Sequence, residues 1–87
     1  MIFNFPATKF VVSNTLADQI RHMRSELEEI EQAMVNQESM ERVTEEAIDL
    51  MHSTETFLRI LANDGSNLGR VRRDTERKNF ERRYYDL

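Results

Sequence analysis

Residues 14–36 of the chain read NTLADQIRHMRSELEEIEQAMVN, and this stretch predicts one long amphipathic helix. Its apolar residues recur at intervals of three and four, the spacing that places side chains along one face of an α-helix. Either Asn14 or Thr15 is suited to cap the first turn, because a short polar side chain can accept a hydrogen bond from a free backbone N–H there. The apolar face consists of Leu16, Ile20, Met23, Leu27, Ile30 and Met34. The helix is expected to end near Val35 or Asn36.

Two more helices are expected after the first. The chain from about Glu38 to about Ala62 repeats the helical period, and the sequence NDGS at 63–66 then supplies the polar residues and the glycine that commonly end a helix. From about Asn67 to about Arg82 the chain has no proline and is rich in arginine, lysine and glutamate, which favour helix. The sequence therefore predicts three consecutive helices joined by short connections.

The chain is interpreted as a single all-α domain covering residues 1–87. Residues 1–13, in which Pro6 restricts its predecessor to extended geometry, are expected to form an ordered arm without helix. Residues 14–82 are the expected helical core, and residues 83–87 a short tail. A chain of 87 residues buries only roughly 60–65% of its unfolded surface, and without cysteine it has no disulfide to add stability. A bundle of about three helices completed by homo-oligomerisation, as a homodimer or homotetramer, is therefore predicted.

The distribution of charge limits the partners of the protein. The formal net charge is −4, with ten acidic residues and three arginines from Asp18 to Asp49, but seven lysines and arginines against four acids from Arg70 to the end. The acidic centre argues against stable nucleic-acid binding, while an acidic and a basic segment together suit one shared ligand. The chain has no apolar run long enough to span a bilayer and no recognisable secretory signal, so a soluble cytoplasmic protein without membrane contact is expected.

Two pairs of carboxylates lie beside the apolar faces of the first two helices. At about 100° per residue, one flank of the first helix carries Gln19, His22, Glu26, Glu29 and Ala33. The corresponding flank of the second helix carries Arg42, Glu46, Asp49, Ser53 and Thr56. If the flanks face each other, four carboxylates surround a small volume, and their repulsion must be offset by protons or cations. Magnesium or manganese suits such hard oxygen ligands, although acidic runs are more often solvated helix faces.

The order of the acidic residues resembles that of a known family. The ExxE at 26–29, sixteen intervening residues and the ExxD at 46–49 are similar to the two metal-binding halves of the MazG-like, all-α nucleoside triphosphate pyrophosphohydrolases. The sequence DLMHS at 49–53 resembles the segment that follows the metal-binding aspartate in this family. In the tail, KNFERRYY at 78–85 is similar to the late K-N-x-x-R-G-Y segment of the family. The resemblance thus extends over most of the chain, in the order of the family.

The resemblance implies an activity, a cofactor and a set of site residues. The activity is magnesium-dependent hydrolysis of a nucleoside or deoxynucleoside triphosphate to the monophosphate and pyrophosphate, with water attacking the α-phosphorus. The metal ligands that it implies are Glu26, Glu29, Glu46 and Asp49. Glu29 is the expected general base, with another glutamate as the alternative. The residues expected to contact the substrate are His22, Lys78, Asn79, Arg82 and Tyr84.

Several features leave other functions open. The chain has Ser25 where glutamate is frequent in the family, and Arg83 where glycine is common, which affects the bend before Tyr84. A partly exposed structural histidine is an equally good interpretation of His22. A non-enzymatic helical interaction module would use the acidic flank to bind a basic partner. Weak nucleic-acid binding through the tail arginines, or a modified or non-triphosphate nucleotide as substrate, are further alternatives. Tight stoichiometric binding of a divalent cation would favour the enzyme over the interaction module.

Overall fold

The computed structural model describes residues 3–87, which form four helices. They are α1 (Phe10–Ser13), α2 (Leu16–Val35), α3 (Met40–Asn63) and α4 (Leu68–Glu81), and no strand occurs among the described residues. The predicted all-α class is confirmed, and three of the helices correspond to the three that the sequence predicted.

The N-terminal arm contains one turn of helix that the sequence pattern did not predict. In α1, the N–H of Val11 donates to the Thr8 carbonyl at 3.2 Å, and the N–H of Asn14 donates to the Phe10 carbonyl at 2.9 Å. Pro6 constrains only itself and the residue before it, so the chain is free to turn two residues later. The expectation of an arm without helix is therefore wrong for α1. The first two residues of the arm lie outside the described residues.

Polar side chains cap the three long helices at their N-termini. Thr15 caps α2: its Oγ1 accepts from the N–H of Asp18, and the Asp18 carboxylate accepts from the N–H of Thr15, both at 3.0 Å. Ser39 and Asn67 cap α3 and α4, each with a side-chain oxygen 3.1 Å from the backbone nitrogen three residues later. These caps satisfy backbone donors that have no partner within their helix. The Ser39 cap places the start of α3 at Met40, slightly after the predicted start.

Each long helix is followed closely by a residue with a left-handed backbone. The φ angles are 54° at Gln37, 104° at Gly65 and 64° at Arg83. After α4, the N–H of Tyr84 donates to the Asn79 carbonyl at 2.9 Å, a hydrogen bond that closes helix ends usually built on glycine. The bend before Tyr84 therefore forms with arginine, at a position where any Cβ makes the backbone conformation costly.

The α2 and α3 helices pack against each other through their polar flanks. The most buried residues of this hairpin, each 5% exposed or less, are Gln19, Ala33, Glu46, Ser53 and Thr56. The apolar face of α2 is covered only in part: Leu16, Met23 and Ile30 are half-buried, whereas the exposed fraction is 46% at Leu27 and 64% at Met34. Among the described residues, Ala33 and Ile60 are the only buried hydrophobic ones. The two acidic flanks face each other, the arrangement that the sequence left as a condition for a four-carboxylate site, and the apolar face of α2 is only partly covered.

The α4 helix stands apart from the α2–α3 hairpin. Among the described helices, extensive packing joins α2 with α3 and α1 with α3. Leu58 of α3 and residues of α4 line an apolar cavity of about 240 Å³. The radius of gyration is 15.2 Å, against about 12 Å expected for a compact domain of this length. The molecule is therefore extended. None of its described helices is both long and apolar enough to cross a membrane.

Candidate metal centre

A buried glutamine sets the register in which the two acidic flanks meet. Gln19 is fully buried, and its Nε2 donates to the carbonyl and hydroxyl oxygens of Ser53 at 3.0 and 2.9 Å. Its Oε1 accepts a hydrogen bond from Asn14 Nδ2 at 2.9 Å. Glu26 follows Gln19 by seven residues, and Glu46 precedes Ser53 by seven. Because seven residues make about two helical turns, fixing the first pair at one height also brings Glu26 level with Glu46.

Carboxylates from both helices converge at that second level. One oxygen atom from each of Glu26, Glu46 and Asp49 lies within 4.8 Å of the other two. Glu29 is exposed, but its carboxyl group is close enough to Glu46 to form a hydrogen bond with it when one of the two is protonated. The four predicted metal ligands therefore occur in one place, with Glu29 outside the tightest group.

Each of the two more buried glutamates has one oxygen held by a basic neighbour and one oxygen without a donor. Glu26 Oε1 contacts His22 Nε2 at 3.1 Å, and Glu46 Oε1 contacts Arg42 Nη2 at 2.6 Å, in both cases from one helical turn earlier. The Oε2 atom of each glutamate is buried and has no hydrogen-bond donor among the described residues. Leaving a buried carboxylate oxygen unpaired is costly, so these two atoms are suited to bind a cation.

The crowding of carboxyl groups raises the pKa of Glu46. The hydrogen bond with Glu29 is the largest cause and burial is the next, while the charges of Glu29 and Asp49 add to the effect and Arg42 opposes it. A divalent cation bound at this cluster would therefore compete with a proton for the oxygen atoms of Glu46. The proton relieves the repulsion at low pH, and a cation relieves it when all the carboxylates are ionised.

The donor atoms of this cluster fit a hard divalent cation. All of them are carboxylate oxygens, and they come from two helices whose register is fixed by a buried hydrogen-bonded pair. The exposed Glu29 and Asp49 leave one side of the cluster open. Mg²⁺ prefers oxygen ligands and keeps several waters or phosphate oxygens around it, so a few carboxylates with an open side suit it. The chain has no cysteine, so it cannot offer the thiolate ligands that softer metals prefer.

A cavity of about 140 Å³ adjoins the carboxylates. Glu26 and Asp49 belong to its lining and so connect it with the metal centre. The remaining lining residues are Thr8, Phe10, His22, His52, Ser53 and Thr56. Phe10 meets the ring of His22 edge to face, with 5.4 Å between ring centroids. Aromatic, imidazole and hydroxyl groups therefore surround one space next to the acidic cluster.

The structure brings one part of the predicted site together and leaves another part elsewhere. His22 lies beside Glu26 and lines the 140 Å³ cavity, next to the predicted metal ligands. Four of the predicted substrate residues lie near the C-terminus, and they are Lys78, Asn79, Arg82 and Tyr84. None of the four lines either of the two cavities described above. The guanidinium of Arg82 lies 5.9 Å from the centre of the Tyr84 ring. Contact of these four residues with a substrate therefore stays a prediction.

The sequence pattern placed Gln19, Arg42 and Thr56 on the two flanks but indicated no role in the site for any of them. The pairing of Arg42 with Glu46 could be predicted from the sequence, because residues four apart on a helix are neighbours. The burial of Gln19 could not be predicted from the sequence, since a glutamine beside an apolar face is usually solvated. The contribution of the N-terminal arm to the site could not be predicted from helical spacing either. The hydroxyl of Thr8 meets that of Thr56 at 3.3 Å across 48 residues, a separation that helical periodicity cannot bridge.

Comparison of the chain with models of known families, with curated proteins and with solved structures found no match. The MazG-like resemblance therefore stays an expectation from the sequence. Any function of the site has to be inferred from its own atoms, above all from the buried Oε2 atoms of Glu26 and Glu46.

Proposed function

We propose that the protein is a magnesium-dependent nucleoside triphosphate pyrophosphohydrolase of the MazG type. The observation that supports this most is the pair of buried Oε2 atoms of Glu26 and Glu46, for which the described part of the chain offers no hydrogen-bond donor. With Asp49 completing a group of oxygens within 4.8 Å, they form the kind of cluster that a hard cation binds. An acidic face that serves only solubility would keep these oxygens in water, where they cost nothing.

The chemistry of the site suits a phosphate-containing ligand. Glu26, Glu46 and Asp49 would bind the cation, and the open side would admit phosphate oxygens. Bound Mg²⁺ would supply charge neutralisation for the triphosphate and would make water more acidic. His22 and Arg42 keep Glu26 and Glu46 in position from one turn away, which limits the rearrangement needed when a ligand arrives.

Glu29 is the proposed general base. It lies outside the tightest group of carboxylates and is exposed, so it can take a proton from water while the other three serve as ligands. The oxygen of that water forms a bond with the α-phosphorus, and the bond from the α-phosphorus to the oxygen that bridges to the β-phosphate breaks. Pyrophosphate leaves with the electron pair of that bond. The products are the nucleoside monophosphate, pyrophosphate and the proton received by Glu29.

Turnover of a nucleotide panel tests this proposal. Purified protein, Mg²⁺ and each of the common NTPs and dNTPs are incubated, and monophosphate and pyrophosphate are both quantified. Glu29→Gln and Glu46→Gln are expected to lower kcat by about a hundredfold or more, because each removes a charge that the reaction needs. Glu28→Gln is the matched control: Glu28 is exposed and adjacent to Glu29 in sequence, and its variant should keep full activity.

The products and the metal affinity decide among the alternatives. Release of orthophosphate instead of pyrophosphate would show that a different bond is broken. If no nucleotide turns over and Mg²⁺ and Mn²⁺ do not bind with defined stoichiometry, the enzyme proposal fails and the acidic flank is better explained as a surface for a basic protein partner.

We also infer that a second copy of the chain covers the apolar face of α2. The residues of this face alternate in steps of four and three, the repeat by which helices pack side by side in bundles, and they are Leu16, Ile20, Met23, Leu27, Ile30 and Met34. Leu27 and Met34 are exposed, so residues 3–87 leave this face partly open. A second copy offers the same face, so a two-fold symmetric contact buries both at once.

Light scattering and variant mixing test the association. Leu27→Glu should convert the oligomer to single chains, because it places a charge in the proposed contact. A mixture of inactive Glu46→Gln with a Lys78→Ala/Arg82→Ala variant should regain activity if the basic tail of one chain serves the acidic cluster of the other. If wild-type protein is a single chain at all concentrations, the association is wrong.

A further inference from the structure

The N-terminal arm is fastened to α3 by a buried carboxylate. Glu55 is only 8% exposed, and its two oxygens accept hydrogen bonds from the backbone N–H groups of Asn4 at 2.7 Å and Phe5 at 2.9 Å. Both oxygens are thus engaged by backbone groups of one short segment. These hydrogen bonds offset the cost of burying the carboxylate, so the arm and Glu55 depend on each other.

Three more residues of α3 contact the same arm. The side chains of His52, Thr56 and Arg59 lie on one face with Glu55, at the helical spacing of three, four and seven. His52 stacks on the Phe5 ring with 4.6 Å between centroids and contacts the Pro6 carbonyl at 3.1 Å. Arg59 Nη2 donates to the Phe5 carbonyl at 2.8 Å. This face of α3 therefore fixes the arm through its backbone and through the Phe5 ring.

The docked arm forms part of the cavity beside the metal centre. Thr8 and Phe10 of the arm line this cavity together with residues of α2 and α3. Glu26 and Asp49 are among those residues. Without the arm, the hydroxyl of Thr8 and the ring of Phe10 would be lost from the lining. The contacts made by Glu55 therefore determine the shape of a space that adjoins the proposed cation ligands.

The position and lining of the cavity indicate which part of a nucleotide it takes. Reaction at the α-phosphorus requires the nucleoside to lie directly beside the cation ligands, and this cavity shares Glu26 and Asp49 with them. Its volume of about 140 Å³ is smaller than the roughly 300 Å³ or more of pockets that enclose a whole ligand, so it suits one part of the molecule. The aromatic ring of Phe10 can contact a base or sugar face, and hydroxyl and imidazole groups can hydrogen-bond their polar edges.

Resting on the proposed function, we propose that this cavity is the subsite for the nucleoside part of the substrate, and that Glu55 is the positioning residue that holds the arm as its wall. Glu55 itself contacts backbone atoms of the arm, and its effect on the ligand passes through Thr8 and Phe10.

Binding measurements separate this subsite from the metal centre. Nucleoside 5′-monophosphates and inorganic triphosphate are titrated separately into the full-length protein with Mg²⁺, and signals of Thr8, Phe10 and His22 are followed by NMR. In the Glu55→Gln variant the side chain is neutral and has one oxygen acceptor, so it cannot hold both N–H groups of the arm as the carboxylate does. The amides of Asn4 and Phe5 should therefore exchange their hydrogens faster. The affinity of this variant for the preferred monophosphate should fall by about tenfold or more, while that for inorganic triphosphate stays within about twofold.

Phe10→Leu and Glu31→Gln complete the set of variants. Phe10→Leu changes the wall without touching the Glu55 contacts, so it should weaken monophosphate binding in the same selective way even if Glu55→Gln does not fold. Glu31→Gln, on the exposed surface of α2, should bind as the wild type does. In turnover, both wall variants should raise KM and retain kcat at saturation, a pattern that loss of folded protein does not produce.

Three results would overturn the subsite. One is wild-type protein that binds no nucleoside monophosphate. Another is faster exchange of the arm amides in Glu55→Gln with unchanged monophosphate affinity. The last is an equal loss of affinity for monophosphate and inorganic triphosphate, which would locate the defect at the metal centre. Failure of the proposed hydrolysis is recognised separately, as selective monophosphate binding without turnover.

Discussion

Replacing Gln19 with methionine removes the hydrogen bonds that align α2 with α3 and leaves a side chain of nearly the same length. The native side chain makes three hydrogen bonds, two to Ser53 and one from Asn14, and it is fully buried. At a net contribution of about 1 kcal/mol for each bond, the free energy of unfolding should fall by about 2–3 kcal/mol. That loss is large for a domain whose total stability is of the order of 5–15 kcal/mol.

Urea unfolding at fixed protein concentration, with EDTA present, measures this loss directly. Gln32→Met is the matched control, because Gln32 lies in the same helix but is exposed, and its side chain donates to Asn36 Oδ1 at 3.0 Å on the surface. The control should unfold within about 0.5 kcal/mol of the wild type. Ser53→Ala keeps the bond from Gln19 to the backbone carbonyl and should lose about 1 kcal/mol.

The same substitution should weaken cation binding, although Gln19 lies about two turns from the carboxylates. Gln19 fixes the height at which Glu26 and Glu46 meet, so a small slip between the helices separates their oxygen atoms. Titration with Mg²⁺ should show reduced affinity in Gln19→Met and unchanged affinity in Gln32→Met. Equal stability of these two variants, or wild-type Mg²⁺ affinity in both, would refute a register fixed by Gln19.

Further predictions concern a helix end, a cap and the metal centre. Gln37→Gly should stabilise the protein by about 0.5–1 kcal/mol in urea unfolding, because the φ angle of 54° strains a residue with a Cβ; a destabilised variant would contradict this. Hydrogen bonds from Thr15 lower the pKa of Asp18 below its usual 3.8. The stability that ionised Asp18 gives to the fold is therefore fully present above that pH and is lost as pH falls through the pKa of Asp18 in the folded protein. Acid titration of Asp18→Asn should lack this component. The pKa of Glu46 is raised, so its effect on the pH dependence of stability has the opposite sign. The metal-free protein should lose stability as pH rises from about 4.5 through the folded pKa of Glu46. Thermal unfolding of Glu46→Gln should show neither this loss nor stabilisation by Mg²⁺, whereas Glu28→Gln should show both.

Local features of the helices were predictable from the sequence. The period of apolar residues located the long helices, and Thr15 was one of two predicted caps for α2. The same period placed Glu26 and Glu29 on one flank and Glu46 and Asp49 on another, because the angle between helical residues is fixed by backbone geometry. Spacing also explains why His22 reaches Glu26 and Arg42 reaches Glu46. All of these relations lie within one helix.

The direction in which each helix face points was not predictable in this way. The apolar face of α2 is a natural candidate for the core, yet Met34 is 64% exposed while Gln19 is fully buried. A helix has several faces, and the flank of α2 that is buried carries polar atoms that α3 satisfies. Ser53 satisfies those of Gln19 across 34 residues, and no pattern within either helix specifies that pairing.

The sequence by itself thus determined the three long helices, the cap of α2 as one of two candidates, and which carboxylates share a flank, since each depends on residues a few positions apart. Only the tertiary structure decided that the polar flanks are buried, that Glu26, Glu46 and Asp49 meet, and that the arm completes a cavity next to them. These outcomes depend on hydrogen bonds between distant segments, such as those of Gln19 with Ser53 and of Glu55 with the arm. Such bonds form only where the packed chain brings a buried donor and a buried acceptor to the same point.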